Sequence, residues 1–371
     1  MRGAPDYLKE LSNCKLCEWK CGVDRLSGEL GVCRMSFPEV ASVQLHPAPP
    51  QSFTIFLAGC NFKCLNCQNW SISQYPDSGE TILGWVDPAE LAAHALSQLE
   101  TFEARRMGAD RIFFSGGEPT IHLPYIEKIV EEARSRDPEA KFNYDTNGFL
   151  TPQSFERVLS FATSITYDIK AFHDEVHRAL TGAPVEPVLR NARILVERAP
   201  EKLWEFRILV IPGISESEIP PLMRFLASLD RKVPVCFLAF RPNFVLQDHP
   251  GAPKALLDWC VDQAFKAGLV RVTWSGLADL PGEGISCDSK YDESYELPQA
   301  KLAATYAGRL GCPTHPRDCG SCSRKQSCPI KRFQAIPEPL RLRRKPFEIS
   351  GRTGKNGRRE GEWHSRRSSI G

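Results

Sequence analysis

Phe53-Thr-Ile-Phe-Leu-Ala58, running directly into Gly59-Cys-Asn-Phe-Lys-Cys-Leu-Asn-Cys-Gln-Asn-Trp70, is the stretch from which the rest of the chain can be ordered. A short apolar run closed by glycine reads as a buried strand, so Cys60, Cys64 and Cys67 leave a strand end on one short loop. Four thiolates close a cubane iron–sulfur cluster, whereas three leave one iron open to a substrate or cofactor. Taken alone, the triplet also suits half of a zinc site completed by a cysteine from elsewhere.

Outward from this loop, residues 52 to about 276 alternate short apolar strands with amphipathic helices. Strands are expected at 53–58, 111–115, 141–145, 164–169, 203–210, 235–240 and 270–274. The clearest helix start is Asp87-Pro88-Ala89-Glu90: an N-cap, a proline at the first helical position and a glutamate that closes the capping box. Leu91, Ala95, Leu99 and Phe102 then recur at helical spacing. Strands alternating with helices imply an α/β fold with a parallel sheet and right-handed crossovers. Six or seven such units suit a partial (β/α)6 barrel with its active site at the C-terminal ends of the strands.

Chemistry-bearing residues fall at those strand ends. Ser115-Gly116-Gly117-Glu118-Pro119-Thr120 ends the second expected strand. Its glycines allow close backbone approach to a ligand, and Glu118 can accept a hydrogen bond from an ammonium group; a tight turn is the plainer alternative. Tyr144-Asp145-Thr146-Asn147-Gly148 and Thr166-Tyr167-Asp168-Ile169-Lys170 end the third and fourth. Asp145 and Asp168 on neighbouring strands repel unless a cation, an ammonium or a lysine intervenes. Solvated acids at strand ends, and a structural ion pair for Arg207, are the corresponding plain readings.

The C-x3-C-x2-C loop followed by Gly116-Gly117-Glu118-Pro119 resembles the radical S-adenosylmethionine (SAM) enzymes, and the later motifs resemble their pyruvate formate-lyase activating enzyme group. The resemblance covers residues 14 to about 280 and implies a radical SAM barrel with a [4Fe–4S] cluster on Cys60, Cys64 and Cys67. It also implies one-electron cleavage of SAM and hydrogen abstraction by a 5′-deoxyadenosyl radical. Gly116, Gly117, Glu118, Pro119, Asn147, Asp168, Lys170 and Arg207 are then expected to bind SAM, with Arg207 on its carboxylate. Asp145, Thr146 and Asp168 match the family's ligands to a monovalent cation. Asn66 departs from the pattern by standing where relatives carry an aromatic residue against adenine, leaving Asn66, Phe62 or Trp70 for that contact. The family's glycine-rich patterns in later strands are indistinct here.

The other cysteines are grouped. Cys14, Cys17, Cys21 and Cys33 form an N-terminal knot suited to zinc or a second cluster, and Cys312, Cys319, Cys322 and Cys328 a C-terminal one suited to an auxiliary cluster or zinc. The first resembles the N-terminal stretch of uncharacterised activating-enzyme-like proteins. The second loosely resembles auxiliary-cluster domains of peptide-modifying radical SAM enzymes. Cys236 and Cys260 read as ordinary buried residues, and Cys287 as a loop residue able to supply a stray ligand. The expected organisation is a cysteine-rich segment over 1–50, the core over 51–280, a second cysteine-rich segment over 281–340 and a disordered basic tail over 341–371.

With 371 residues, 42% of them hydrophobic, the chain is ample for one large domain with appendages. Fourteen cysteines without a signal peptide or a long apolar run point to metal rather than disulfides, and to a soluble cytoplasmic protein with no membrane partner. The tail holds ten Lys/Arg against three Glu, +7 in a chain of net charge +2, which leaves −5 upstream. It suits a solvated segment or a contact with an acidic protein or nucleic acid.

The expected reaction is modification of a protein or peptide, driven by a reduced donor such as ferredoxin or flavodoxin. Two cysteine knots beyond the core favour C-methylation, in the manner of the glutamine C-methyltransferase of methyl-coenzyme M reductase with cobalamin as methyl carrier. The Asp-x-His-x-x-Gly cobalamin motif is absent. The alternatives are a glycyl-radical activating enzyme and a metal-scaffolded nucleic-acid-binding or RNA-modifying protein.

Overall fold

The computed structural model describes residues 5–276, 294–312 and 315–335. Eight strands form one open sheet in sequence order: β1 (Val40–His46), β2 (Ser52–Leu57), β3 (Ile112–Gly116), β4 (Phe142–Thr146), β5 (Ser164–Asp168), β6 (Leu203–Val210), β7 (Pro234–Ala239) and β8 (Arg271–Ser275). β2 to β8 are parallel. The seven expected strands are therefore all present, in the partial barrel that their alternation with helices implied. β1 was not expected. It pairs antiparallel with β2, Val43 opposite Ile55 and Leu45 opposite Phe53, and its mixed burial marks a sheet edge.

Ten α-helices cover the described sheet: α1 (Trp70–Ser73), α2 (Pro88–Leu99), α3 (Phe102–Met107), α4 (Leu123–Arg136), α5 (Pro152–Phe161), α6 (Asp174–Thr181), α7 (Glu186–Arg198), α8 (Ile219–Leu229), α9 (Lys254–Ala267) and α10 (Pro298–Arg309). β3 and β4 bury nearly every residue, as parallel strands covered on both faces must. Cys236 and Cys260 are buried in β7 and α9 as expected. Cys287 and the basic tail lie outside the described residues. Among the described residues no helix is long and apolar enough to cross a membrane.

The helix from Pro88 stops earlier than its apolar spacing suggested. Asp87 caps it by accepting from the amides of Ala89 and Glu90, and Leu91 and Ala95 are buried. Thr101 then turns extended and its hydroxyl accepts from the Ala104 amide, which starts α3 on a new axis. Phe102 is consequently 80% exposed. Phe102→Ser should change stability by less than about 0.5 kcal/mol, whereas Leu91→Ala should cost about 2–5 kcal/mol. Comparable losses in urea unfolding would restore a continuous buried face.

Candidate active site

The C-terminal strand ends meet around a cavity of about 160 Å³. Cys60, Cys64 and Cys67 line it from the loop after β2, Gly116, Gly117 and Glu118 from the end of β3, and Asp145, Thr146 and Asn147 from the end of β4. Asp168 and Lys170 enter from β5, and Leu209 and Leu238 close the far wall from β6 and β7. Three thiols and no fourth cysteine face the cavity among the described residues. This donor set fits a cluster held at three corners and open at the fourth.

Backbone contacts hold the cysteine loop. The amides of Lys63 and Leu65 donate to the carbonyls of Thr181 (2.8 Å) and Leu180 (3.0 Å) at the end of α6. Trp19 donates its indole N–H to Asn61 O at 2.8 Å. Burial pushes the Cys64 thiol up to about 12 and raises those of Cys60 and Cys67 as well. These thiols stay neutral until a metal displaces their protons.

The paired glycines serve the backbone first. Gly116 has φ +119° and a Cβ there would sit 2.2 Å from Leu57 O; at Gly117 it would sit 1.8 Å from Gly59 O. The end of β3 thus packs directly on the strand exit that launches the cysteine loop. Glu118 is 1% exposed. It accepts from the Asn147 amide (2.9 Å), the Thr146 hydroxyl (2.9 Å) and both the amide and hydroxyl of Thr120, tying β3 to β4. Burial outweighs these bonds and lifts its carboxyl to about 7. The Thr146 hydroxyl thus faces Glu118 as a hydrogen-bond donor, and the Asn147 side-chain amide donates to Asn61 Oδ1 at 2.7 Å beside Cys60.

Charge is concentrated on the opposite wall. Lys170 Nζ lies 2.6 Å from Asp168 Oδ2, and Ser115 donates to Asp145 Oδ2 at 2.7 Å. Burial raises the Asp145 carboxyl to about 6, with Arg207 opposing the rise and Asp168 adding to it. Arg207 stands 3.8 Å from Asp145, but its Nε donates to Glu205 at 2.7 Å. The repulsion between the two aspartates is thus already relieved by Lys170 and Arg207. Pro119 and Arg207 are not in the cavity lining, unlike the other expected SAM residues. Pro119 begins a short 3-10 turn.

Of the three residues expected near adenine, Asn66 and Phe62 line the cavity, while Trp70 stacks on Phe244 at 5.4 Å. Several neighbours carried no signal of their own in the sequence. Gln68, Asn69, Leu209 and Leu238 line the cavity, Asn69 donates to Gly116 O at 3.1 Å, and Ser73 Oγ lies 3.0 Å from Cys67 Sγ. The nearest available clue was the polar run after Cys67.

Each outer knot encloses a void of its own, one lined by Cys14, Cys17, Cys21 and Cys33, the other by Cys312, Cys319, Cys322 and Cys328.

Residues 54–226 match the family model of the radical SAM superfamily. An uncharacterised protein of Methanocaldococcus jannaschii is 26% identical over 317 residues, covering 77% of this chain and 89% of that one. The pyruvate formate-lyase-activating enzyme of Staphylococcus aureus is 29% identical over 202 residues, covering 52% of this chain and 75% of that one. Among solved structures, a domain of the pyruvate-formate lyase-activating enzyme of Bacteroides vulgatus is 22% identical, covers 45% of this chain and all of that one, and has a TM-score of 0.39. Streptococcus suis SuiB bound to S-adenosylmethionine is 15% identical, covers 60% of this chain and 46% of that one, and has a TM-score of 0.40. A strand-end loop with three thiols, a Gly-Gly-Glu-Pro turn packed against it and the family match over both make residues 54–226 of this chain a radical SAM domain.

Proposed function

We propose that the chain uses its radical SAM domain to modify a protein or peptide. The observation that carries this is the cavity at the strand ends, whose wall offers three thiols from one loop and a ring of charged groups opposite. A three-thiolate cluster with SAM bound supplies one-electron cleavage of the sulfonium and abstraction of a substrate hydrogen atom. Cys60, Cys64 and Cys67 would hold its iron. Gly116 and Gly117 keep the β3 edge free of side chains, Lys170 offers a cation to the carboxylate of SAM, Arg207 would join it only by turning from Glu205 into the cavity, and Glu118 offers an acceptor to the ammonium group of SAM. Asp145 and Asp168, with Thr146, are the candidates for a monovalent cation. Leu209 and Leu238 exclude water from the inner wall.

Two outcomes of that chemistry are separable. C-methylation of a protein side chain is favoured by the two four-cysteine knots, which a simple activase does not need; a methyl carrier such as cobalamin would then dock on the chain. Activation of a glycyl-radical enzyme is favoured by the likeness to activating enzymes over half the chain. A low-potential donor such as ferredoxin or flavodoxin supplies the electron in either case.

Anaerobically reconstituted protein, given SAM and a strong reductant, should release 5′-deoxyadenosine, followed by mass spectrometry. No release from iron-loaded protein overturns the proposal. S-adenosylhomocysteine alongside it supports methylation, and a glycyl electron-spin doublet on a partner enzyme supports activation. Failure of cobalamin to bind, read by its visible absorption, removes the cobalamin-dependent form.

A further inference from the structure

Charge in this chain is divided by position. Over residues 297–335 seven Lys/Arg stand against one acid, Asp318, whereas residues 1–296 carry thirty Lys/Arg against forty acids. The stretch from α10 to Ala335 is thus a basic pole of +6 on an acidic body of −10. A pole of that kind steers an oppositely charged partner to one face. The structure gathers its cations on a single surface. Arg309, Arg324 and Arg332 are exposed. Arg324 donates to Gly311 O at 2.5 Å, beside Arg309 at the end of α10. Arg332 donates to Gln326 O at 2.9 Å, and Arg34 joins the same edge by donating to Gln326 Oε1. Among the described residues the ion pairs of this surface all end on Asp77, which lies 2.6 Å from Arg34, 3.8 Å from Lys331 and 3.9 Å from Arg332. Three cations share one carboxylate, so net positive charge survives on the surface.

The same stretch rests on the loop that carries Cys60, Cys64 and Cys67. Arg317, 2% exposed, donates to Lys63 O at 2.8 Å and to Ala179 O at 2.7 Å. The Cys319 amide donates to Gly182 O at 2.9 Å, one residue after the Thr181 carbonyl that accepts from the Lys63 amide. The basic surface is therefore built on a segment bonded to the loop where an electron has to arrive, and that segment leaves the cavity wall to other elements. It also lacks what single-stranded nucleic acid would use. The large apolar side chains that stand exposed among the described residues are Leu83, Trp85, Phe102, Phe265 and Val270, and none belongs to this stretch. Bases would find no aromatic platform on which to stack.

We propose that the basic surface of residues 297–335 is the docking site for a small acidic electron-carrier protein, which delivers the electron to the cluster held by Cys60, Cys64 and Cys67. The proposal deepens the radical SAM reading of the site and rests on it for the need of an electron. With a flavin carrier, the anionic hydroquinone gives up one electron to the cluster, taking it from the 2+ to the 1+ state, and is left as the neutral semiquinone. Charge complementarity of this kind acts mainly on the rate of encounter and makes it sensitive to salt.

The test mixes full-length, anaerobically reconstituted protein with fully reduced flavodoxin in a stopped-flow cell without SAM, and follows semiquinone formation by visible absorption. The phase absent from the Cys60→Ala/Cys64→Ala/Cys67→Ala protein reports the central cluster and is the one compared. Arg309→Glu/Arg332→Glu should lower its second-order rate constant about tenfold or more at low salt, and flatten its fall with ionic strength. Photoreduction by deazaflavin, which needs no docking surface, should proceed as in the wild type. Arg105→Glu/Arg106→Glu on α3 makes the same change in net charge elsewhere and should keep the flavodoxin rate within about twofold. An unchanged rate in the first variant, or equal losses in both, overturns the proposal. So does a random single-stranded RNA that binds the wild type but not the first variant while the flavodoxin rate stays the same. Arg309→Gln/Arg332→Gln, with a smaller loss in the same direction, serves where the glutamate pair does not fold. Because no SAM is present, a protein that takes electrons from flavodoxin yet releases no 5′-deoxyadenosine counts against the radical reading and leaves the docking surface standing.

Discussion

Cys64→Ala is expected to reduce 5′-deoxyadenosine formation to the background of protein without iron, and to remove about four iron per chain. The loop carrying Cys64 does not depend on the thiol for its course. Lys63 and Leu65 are tied to α6 through the carbonyls of Thr181 and Leu180, Val245 donates its amide to Leu65 O at 3.1 Å, and Trp19 holds Asn61. Losing one sulfur should therefore leave the fold in place, and unfolding midpoints of the apo proteins should agree closely. Two thiolates do not fix a cubane in a set geometry, so the loss of chemistry should be complete rather than graded. Cys236→Ala is the matched control, because Cys236 is buried in β7 and absent from the cavity wall. It should keep both iron and cleavage. A Cys64→Ala protein that still cleaves SAM at the wild-type rate would remove this loop from the reaction.

The contrast between these two cysteines shows what the sequence could disclose. Seven strands were legible because each is a short apolar run bounded by polar turns, a signature that is strongest in the central strands buried on both faces, such as β3 and β4, and weakest at the edge strand β8. β1 was not, since its burial is mixed and its run Val40-Ala-Ser-Val-Gln-Leu-His46 is broken by polar residues. The thiols, glycines and acids at strand ends were legible because their chemistry is local to the chain. Partnerships were less so. Thr146 was grouped with Asp145 and Asp168, yet its hydroxyl turns to Glu118, twenty-eight residues earlier. Arg25 and Arg317 gave no sign at all, because their partners are backbone carbonyls far along the chain, such as Ile121 O and Lys63 O. A helix boundary was misplaced for a smaller reason: Thr101 supplied a cap inside an apolar pattern that otherwise continued to Phe102.

Gly117→Ala should be the most destabilising single methyl group that can be added near the site. Its Cβ would lie 1.8 Å from Gly59 O, 2.6 Å from Gly59 C and 3.2 Å from Ser73 Cα. None of these is the movable end of a side chain. Nor can the backbone retreat easily, since the Gly117 amide donates to Leu57 O at 2.9 Å and the Glu118 amide to Gly59 O at 3.0 Å. Overpacking of this kind typically costs about 1–3 kcal/mol and more where the backbone must yield, so a loss of at least about 3 kcal/mol is expected in urea unfolding. Because Gly59 precedes Cys60, the same shift should displace the cysteine loop and lower iron loading even in the folded fraction. Gly308→Ala provides the opposite sign. Gly308 lies in α10 with nothing within 4 Å of an added Cβ, and alanine there should stabilise by about 0.4–1 kcal/mol. A Gly117→Ala protein as stable as the Gly308→Ala protein, with full iron, would mean that β3 does not press on the strand exit and that the Gly-Gly pair has another purpose.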